Sequence, residues 1–186
     1  MVKIAAISGS LRKNSYNTML LHAAKDLAPE GVIIEIESII GIPLYDGDRE
    51  EHSGIPVAVA DLGAKIAEAH ALLIATPEYN HSIPGVLKNA IDWLSRPTAD
   101  PVHMFYGKPV AIMGASNGLG GTRTSQAAWM PVLHAIGVRP WFGRQVYVSN
   151  ASHAFDAQGK LIDERIRDLL TDFVREFAVF AAEERG

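Results

Sequence analysis

Short apolar runs alternate with helically spaced apolar residues along this chain, and that alternation limits the fold more than any other feature. The run from Val2 to Ile7 is too short for a helix and the right length for a buried strand. At 32–40, Val32, Ile34 and Ile36 alternate with Ile33, Glu35 and Glu37. The stretch Ala71-Leu72-Leu73-Ile74-Ala75-Thr76 is continuous and ends at Pro77, which suits a strand covered on both faces. Two further runs lie at 109–114 and 138–148, the second interrupted by Pro140 and Gly143. Between them, apolar residues recur at helical spacing. Leu20, Ala23, Ala24 and Leu27 form one set, and Val59, Leu62, Ile66 and Ala69 a second within 56–69. Segment 84–96 starts on Pro84, which fits a first helical turn, and carries Val86, Leu87, Ala90, Ile91 and Leu94. Helices are also expected at 123–136 and 161–182, the latter with Ile162, Ile166, Leu169, Leu170, Phe173, Phe177 and Phe180 on one face. Segments 41–54 and 97–108 read as loops.

A strand–helix alternation of this kind gives a parallel sheet with helices on both faces. The expectation is an α/β three-layer sandwich, one domain over 1–186, with a five-stranded parallel sheet of order 2-1-3-4-5. Its strands fall near 2–8, 32–38, 71–76, 109–114 and 138–148. Ligands of such sheets sit at the carboxyl ends of the strands, near the switch in winding direction. Three loops converge there, 8–17, 77–83 and 115–122, and they are the three with unusual composition.

The first holds Gly9, Ser10, Arg12, Asn14, Ser15 and Asn17 between a strand and a helix. Free N–H groups and a partial positive charge at a helix start favour an anion, and hydroxyls, an amide and a guanidinium would complete a phosphate cradle. By itself the turn also suits an N-cap cluster with Arg12 in solvent; its convergence with two other unusual loops favours the phosphate. The second loop, Thr76-Pro77-Glu78-Tyr79-Asn80-His81-Ser82-Ile83-Pro84, is stiffened by two prolines. It can offer backbone groups in fixed positions to a flat heterocycle, with Tyr79 as a stacking face. The plainer reading is a strand–helix connection capped by Asn80 or Ser82. The third loop has four glycines between Gly114 and Gly121. It matches neither a dinucleotide fingerprint nor a P-loop, and a mobile surface loop is the other reading.

Composition removes several classes. A net charge of −4 argues against nucleic acid as the main partner. With no cysteine there is no disulfide, thiolate metal site or cysteine nucleophile. The seven histidines are scattered, and none pairs with a carboxylate at metal-site spacing. No apolar run approaches a membrane span and no secretion leader opens the sequence, so the expected setting is the cytoplasm.

Taken together, Gly9-Ser10-Leu11-Arg12 with Ser15 and Asn17, the tetrad Pro77-Glu78-Tyr79-Asn80, and the run Ile83-Pro84-Gly85-Val86-Leu87-Lys88-Asn89-Ala90-Ile91-Asp92-Trp93 resemble the NADPH-dependent FMN reductase family. Within it the likeness is strongest to bacterial chromate and quinone reductases, also described as azoreductases. It runs from Lys3 to about Val148. The resemblance implies a flavodoxin-like fold, non-covalent FMN, NADPH (or NADH) as donor, and a homodimer or dimer of dimers. It assigns Ser10, Arg12, Ser15 and Asn17 to the FMN phosphate. Pro77, Glu78, Tyr79 and Asn80 would line the isoalloxazine, largely through backbone, with Ser116 and Gly118 on its other side. It implies hydride transfer from NAD(P)H through FMN to a broad range of small-molecule acceptors, in ping-pong order, with no catalytic side chain and no metal. The alternatives are a flavodoxin-like electron carrier, a type usually far more acidic than −4, and a nucleotide hydrolase or transferase, which the missing P-loop disfavours. Trp93 lies off the apolar stripe of its segment, which suggests an interface through 84–96 and the loop after it.

Overall fold

The computed structural model describes residues 1–96 and 104–183. Its sheet runs in the order β2-β1-β3-β4-β5, with β6 also paired to β4 and every pairing parallel. The strands are β1 (Val2–Ser8), β2 (Val32–Glu37), β3 (Ala71–Ala75), β4 (Pro109–Ala115), β5 (Arg139–Pro140) and β6 (Val146–Val148). All five β3 residues are buried. Alternation along β3 then serves two cores. Ala71, Leu73 and Ala75 face α1 (Tyr16–Asp26) and α8 (Glu164–Ala182), whereas Leu72 and Ile74 face α3 (Val57–Glu68) and α4 (Gly85–Leu94). This is the three-layer α/β sandwich with the expected order, and it is flavodoxin-like.

The expected single fifth strand is instead two short ones. Arg139 N–H donates to Lys108 O at 2.9 Å, and Pro140 turns its nitrogen away from β4, so it removes no bond of this ladder. Trp141 makes one more bond, N–H to Val110 O at 2.8 Å, before the chain turns away. Its indole then packs 5.1 Å from Phe173 and 5.6 Å from Phe177, and β6 rejoins β4 at Met113. Among the described residues the sheet therefore has six strands rather than five.

Three helical boundaries also differ from expectation. Segment 123–136 forms α5 (Arg123–Ala128) and α6 (Met130–Ala135), because Pro131 cannot donate to Ala127 O. The last helix starts at Glu164 rather than 161, since Asp163 caps it by accepting from Ile166 N–H at 3.0 Å. Within 41–54, expected to be a loop, α2 (Gly47–Ser53) forms under an Asp46 cap; it buries none of its residues, so no apolar period announces it. A further short helix, α7 (Ala151–Ala154), follows β6.

Trp93 corrects the interface argument. It is fully buried, and its Nε1 donates to Pro43 O at 2.9 Å. Asn89 holds the same segment from both ends, accepting from Tyr45 N–H at 2.8 Å and donating to Pro43 O at 2.8 Å. Trp93 is thus an anchor for segment 41–54 of its own chain. Residues 97–103 of the expected loop 97–108, to which the interface was also assigned, lie outside the described residues. Among the described residues no helix is long and apolar enough to cross a membrane.

Candidate functional site

Three loops leave the sheet at one level. Ser8 is in register with Ala75, and Gly9 N–H donates to Ala75 O at 2.8 Å. Thr76 N–H donates to Met113 O and Ser116 N–H to Val148 O, both at 2.9 Å. The chain winds to β2 on one side of β1 and to β4 on the other side of β3, so a crevice opens between the ends of β1 and β3.

Close approach fixes these loops to one another. A Cβ on Gly9 would stand 2.8 Å from Pro77 Cδ and 2.9 Å from Pro84 Cγ, so only glycine lets the first loop lie on the second. At Gly114 a Cβ would come 2.0 Å from Thr122 Oγ1 and 2.3 Å from Thr76 O, which closes the second loop against the third. Thr76 Oγ1 sits at the centre of this buried contact, 3.0 Å from Ser125 Oγ and accepting from Trp129 Nε1 at 3.0 Å.

The β1–α1 turn is rich in unused donors. The Arg12 side chain is exposed and forms no ion pair or hydrogen bond among the described residues. The backbone N–H groups of Leu11, Lys13, Asn14, Tyr16 and Asn17 likewise have no acceptor among those residues. Ser10 Oγ accepts from Arg12 N–H at 3.3 Å, and Ser15 Oγ caps α1 by accepting from Thr18 N–H at 3.4 Å; both hydroxyl protons stay free to donate. Beneath them Ser8 Oγ accepts from Thr18 Oγ1 at 3.0 Å, a support that the sequence reading missed. A polar residue ending an otherwise apolar strand was its one signal. Asn17 is placed differently from its expected role. Its amide is turned to the strand side, bonded to both backbone groups of Ala115, so its open group toward the turn is the backbone N–H. One guanidinium, two hydroxyls and several N–H groups around a helix start fit a phosphate dianion.

The second loop is a tight turn. Tyr79 and Ser82 exchange backbone hydrogen bonds at 3.2 and 3.0 Å, with Asn80 and His81 at φ of 51° and 58°. Two successive left-handed residues define a type I′ turn, which asparagine tolerates well. Pro77 is buried, while Tyr79, Asn80 and His81 are exposed. Glu78 points elsewhere: its Oε2 accepts from Thr124 and Ser125 N–H at 2.9 and 3.0 Å, at the start of α5, and its Oε1 lies 3.3 Å from His81 Nδ1. In the third loop Ser116 Oγ donates to Gly121 O at 2.5 Å and accepts from Gly118 N–H at 3.2 Å. That loop is closed on itself rather than slack.

Two more cations belong to other surroundings. Arg123 stacks 5.2 Å over the Tyr147 ring, and Lys13 lines a groove along α1. Segment 41–54 forms a fixed wall beside α4. Tyr45 donates to Glu50 Oε2 at 3.0 Å, which pushes the phenol pKa above its ordinary value, and Arg96 Nε donates to the same oxygen at 2.9 Å.

The model of the NADPH-dependent FMN reductase family matches residues 2–153. An NAD(P)H-dependent FMN reductase of Pseudomonas aeruginosa is 45% identical over 185 residues, spanning 100% of this chain and 98% of its own. A 2-hydroxy-1,4-benzoquinone reductase of a Burkholderia species is 38% identical over 184 residues, spanning 99% and 98%. Among solved structures, a flavoenzyme NAD(P)H:(acceptor) oxidoreductase of Paracoccus denitrificans superposes with a TM-score of 0.86 at 32% identity, over 97% of each chain.

Proposed function

This chain belongs to the NADPH-dependent FMN reductase family, and from that premise we propose that it oxidises NAD(P)H and reduces small quinone-type acceptors through FMN held where the three loops meet. The observation that carries the assignment of the site is that Arg12, beside the open donors of the β1–α1 turn, has no partner among the described residues. In this reading the Arg12 guanidinium, the Ser10 and Ser15 hydroxyls and the first N–H groups of α1, Asn17 included, hold the phosphate. The stiff backbone of Pro77, Glu78, Tyr79 and Asn80 borders the flavin ring. The Glu78 carboxylate keeps that loop docked on α5 and leaves the ring to the backbone. Ser116 and Gly118 close the opposite side.

Bound FMN supplies the two-electron chemistry, taking a hydride from NAD(P)H and passing the electrons to the acceptor. The chain's own task is to bind, orient and leave one ring face open, which coenzyme and acceptor occupy in turn. No side chain is assigned a proton transfer. An open face also suits oxidants other than quinones, chromate and azo compounds among them, and segment 41–54 would border their access. The proposed setting is the cytoplasm. Two copies are proposed to pair through α4 and the segment docked on it, where Leu44 and Val86 are 82% and 37% exposed. Sedimentation of wild type as a monomer at micromolar concentration would remove that pairing.

The function is tested on the purified protein. It should carry flavin absorption bands, or take up added FMN, and oxidise NAD(P)H when a benzoquinone is present. A colourless protein that binds no FMN contradicts the reading. A flavin-loaded protein that leaves NAD(P)H untouched would make it an electron carrier.

A further inference from the structure

A groove of about 530 Å3 runs along the outer face of α1, between that helix, the segment before α8 and the first turns of α8. The volume is that of a small-molecule site. Its floor is apolar, from Met19, Ala23 and Leu161. Its far wall is built rather than slack. Asp156 Oδ1 accepts from the N–H groups of Gln158 and Lys160 at 2.9 and 2.8 Å, and Phe155 and Leu161 bridge the base of this hairpin. Gly159 stands at φ +83° with Met19 against it; a Cβ there would meet the Met19 side chain at 3.2 Å.

The charge around the groove runs against that of the protein. The chain has 21 acidic and 17 basic side chains, and several of its described cations, Lys3, Lys65, Arg96 and Arg144 among them, are paired with a carboxylate. Here Lys13, Lys160 and Arg167 line one groove. The first two have no side-chain partner among the described residues, and Arg167 donates only to Leu161 O, at 2.9 Å. Among the described residues Asp26 is the one carboxylate on the lining. Three cations against one lining carboxylate, over an apolar floor, complement a molecule with an acidic group and an apolar body.

We infer that the groove between α1 and the 155–161 hairpin is a second ligand site, for a small organic anion with an aromatic or aliphatic body. It meets the flavin reading only at its end, where Lys13, Asn14 and Ser15 also belong to the β1–α1 turn. The bound anion places its acidic group among Lys13, Lys160 and Arg167 and its body on Met19 and Leu161.

The test is calorimetric titration of the protein as purified with naphthalene-2-sulfonate. The expected result is saturable binding of one probe per chain with the flavin spectrum unchanged. Lys160→Glu weakens it at least tenfold, since that Nζ has no partner to lose among the described residues, whereas Arg49→Glu, the same charge change on α2 across the sheet, alters it less than twofold. Naphthalene-2-methanol, which keeps the body without the charge, binds at least tenfold more weakly. The inference is overturned by no binding at millimolar probe, by equal effects of the two substitutions, or by equal affinity for the alcohol. It is also overturned if NADPH displaces the probe or if the probe releases FMN, because the groove would then be part of the coenzyme or phosphate site. The same titration on FMN-free protein gives the same answer, so failure of the flavin reading leaves this test intact.

Discussion

The side-chain amide of Asn17 is bonded in both directions to the backbone of Ala115, Nδ2 to the carbonyl at 3.0 Å and Oδ1 from the N–H at 2.9 Å. One buried residue thus ties the first turn of α1 to the end of β4, across the sheet from the strand that precedes it. The pair sets the distance between the first and third loops of the site. Each backbone group left unsatisfied in a buried place costs about 1–3 kcal/mol. Asn17→Ala should therefore lower the unfolding free energy by at least about 2 kcal/mol, measured by urea denaturation. Ser15→Ala, which removes a helix cap, should cost about 1 kcal/mol. Equal stability of Asn17→Ala and wild type would show that the amide is replaceable.

Glu78 gives a second, separable effect. Its carboxylate holds the N-terminal N–H groups of Thr124 and Ser125, and so fixes the loop proposed to border the ring. A hydrogen bond to a charged group contributes about 1.5–3 kcal/mol net. Glu78→Ala should lower the melting temperature and weaken FMN and riboflavin by the same factor, because both ligands carry the ring. Flavin fluorescence quenching measures both affinities. A loss confined to FMN would place Glu78 in the phosphate site instead.

Much of this was legible in the sequence. Continuous apolar runs marked β1, β3 and β4 because a strand covered on both faces has no polar alternation to disguise it. The two prolines of the second loop read as stiffeners, and the structure adds that their rings leave room only for a glycine at position 9. What the residues could not reveal was tertiary commitment. Asn17 reads as an anion ligand by type, yet its amide is used by Ala115, 98 residues away. Trp93 reads as an exposed aromatic by its place on a helical wheel, yet a carbonyl from segment 41–54 receives its N–H. Helix α2 has no buried residue, so no periodicity existed to be read. The split of the last strand depended on where Trp141 finds its aromatic partners, which local sequence does not encode.

The α8 surface carries a charge dependence with a definite sign. Arg144 Nη2 donates to Glu176 Oε1 at 2.7 Å, and this bond holds the Glu176 carboxyl below its ordinary value of 4.5. A folded-state pKa that is depressed contributes stability above the unfolded value and loses it as pH falls through the folded one. The melting temperature should drop between about pH 5 and 3, in part through this group. Arg144→Met should make that drop shallower in a thermal melt series while leaving the pH dependence above 6 unchanged. An identical acid limb in wild type and variant would mean that other carboxylates carry it.

The central claim, that the β1–α1 turn holds the phosphate of FMN, is tested most directly by comparing two ligands that differ only in that phosphate. A charge-assisted hydrogen bond contributes roughly 1.5–3 kcal/mol, and each 1.4 kcal/mol is about tenfold in affinity. Fluorescence titration of wild type and Arg12→Ala with FMN and with riboflavin should show FMN weakened roughly 10- to 150-fold by the substitution, riboflavin almost unchanged, and much of the preference for FMN lost. The melting temperature of the apoprotein should barely move, since Arg12 is exposed and has no partner to release among the described residues. If Arg12→Ala weakens riboflavin as much as FMN, the arginine does not meet the phosphate, and the assignment of this turn as the cradle is wrong.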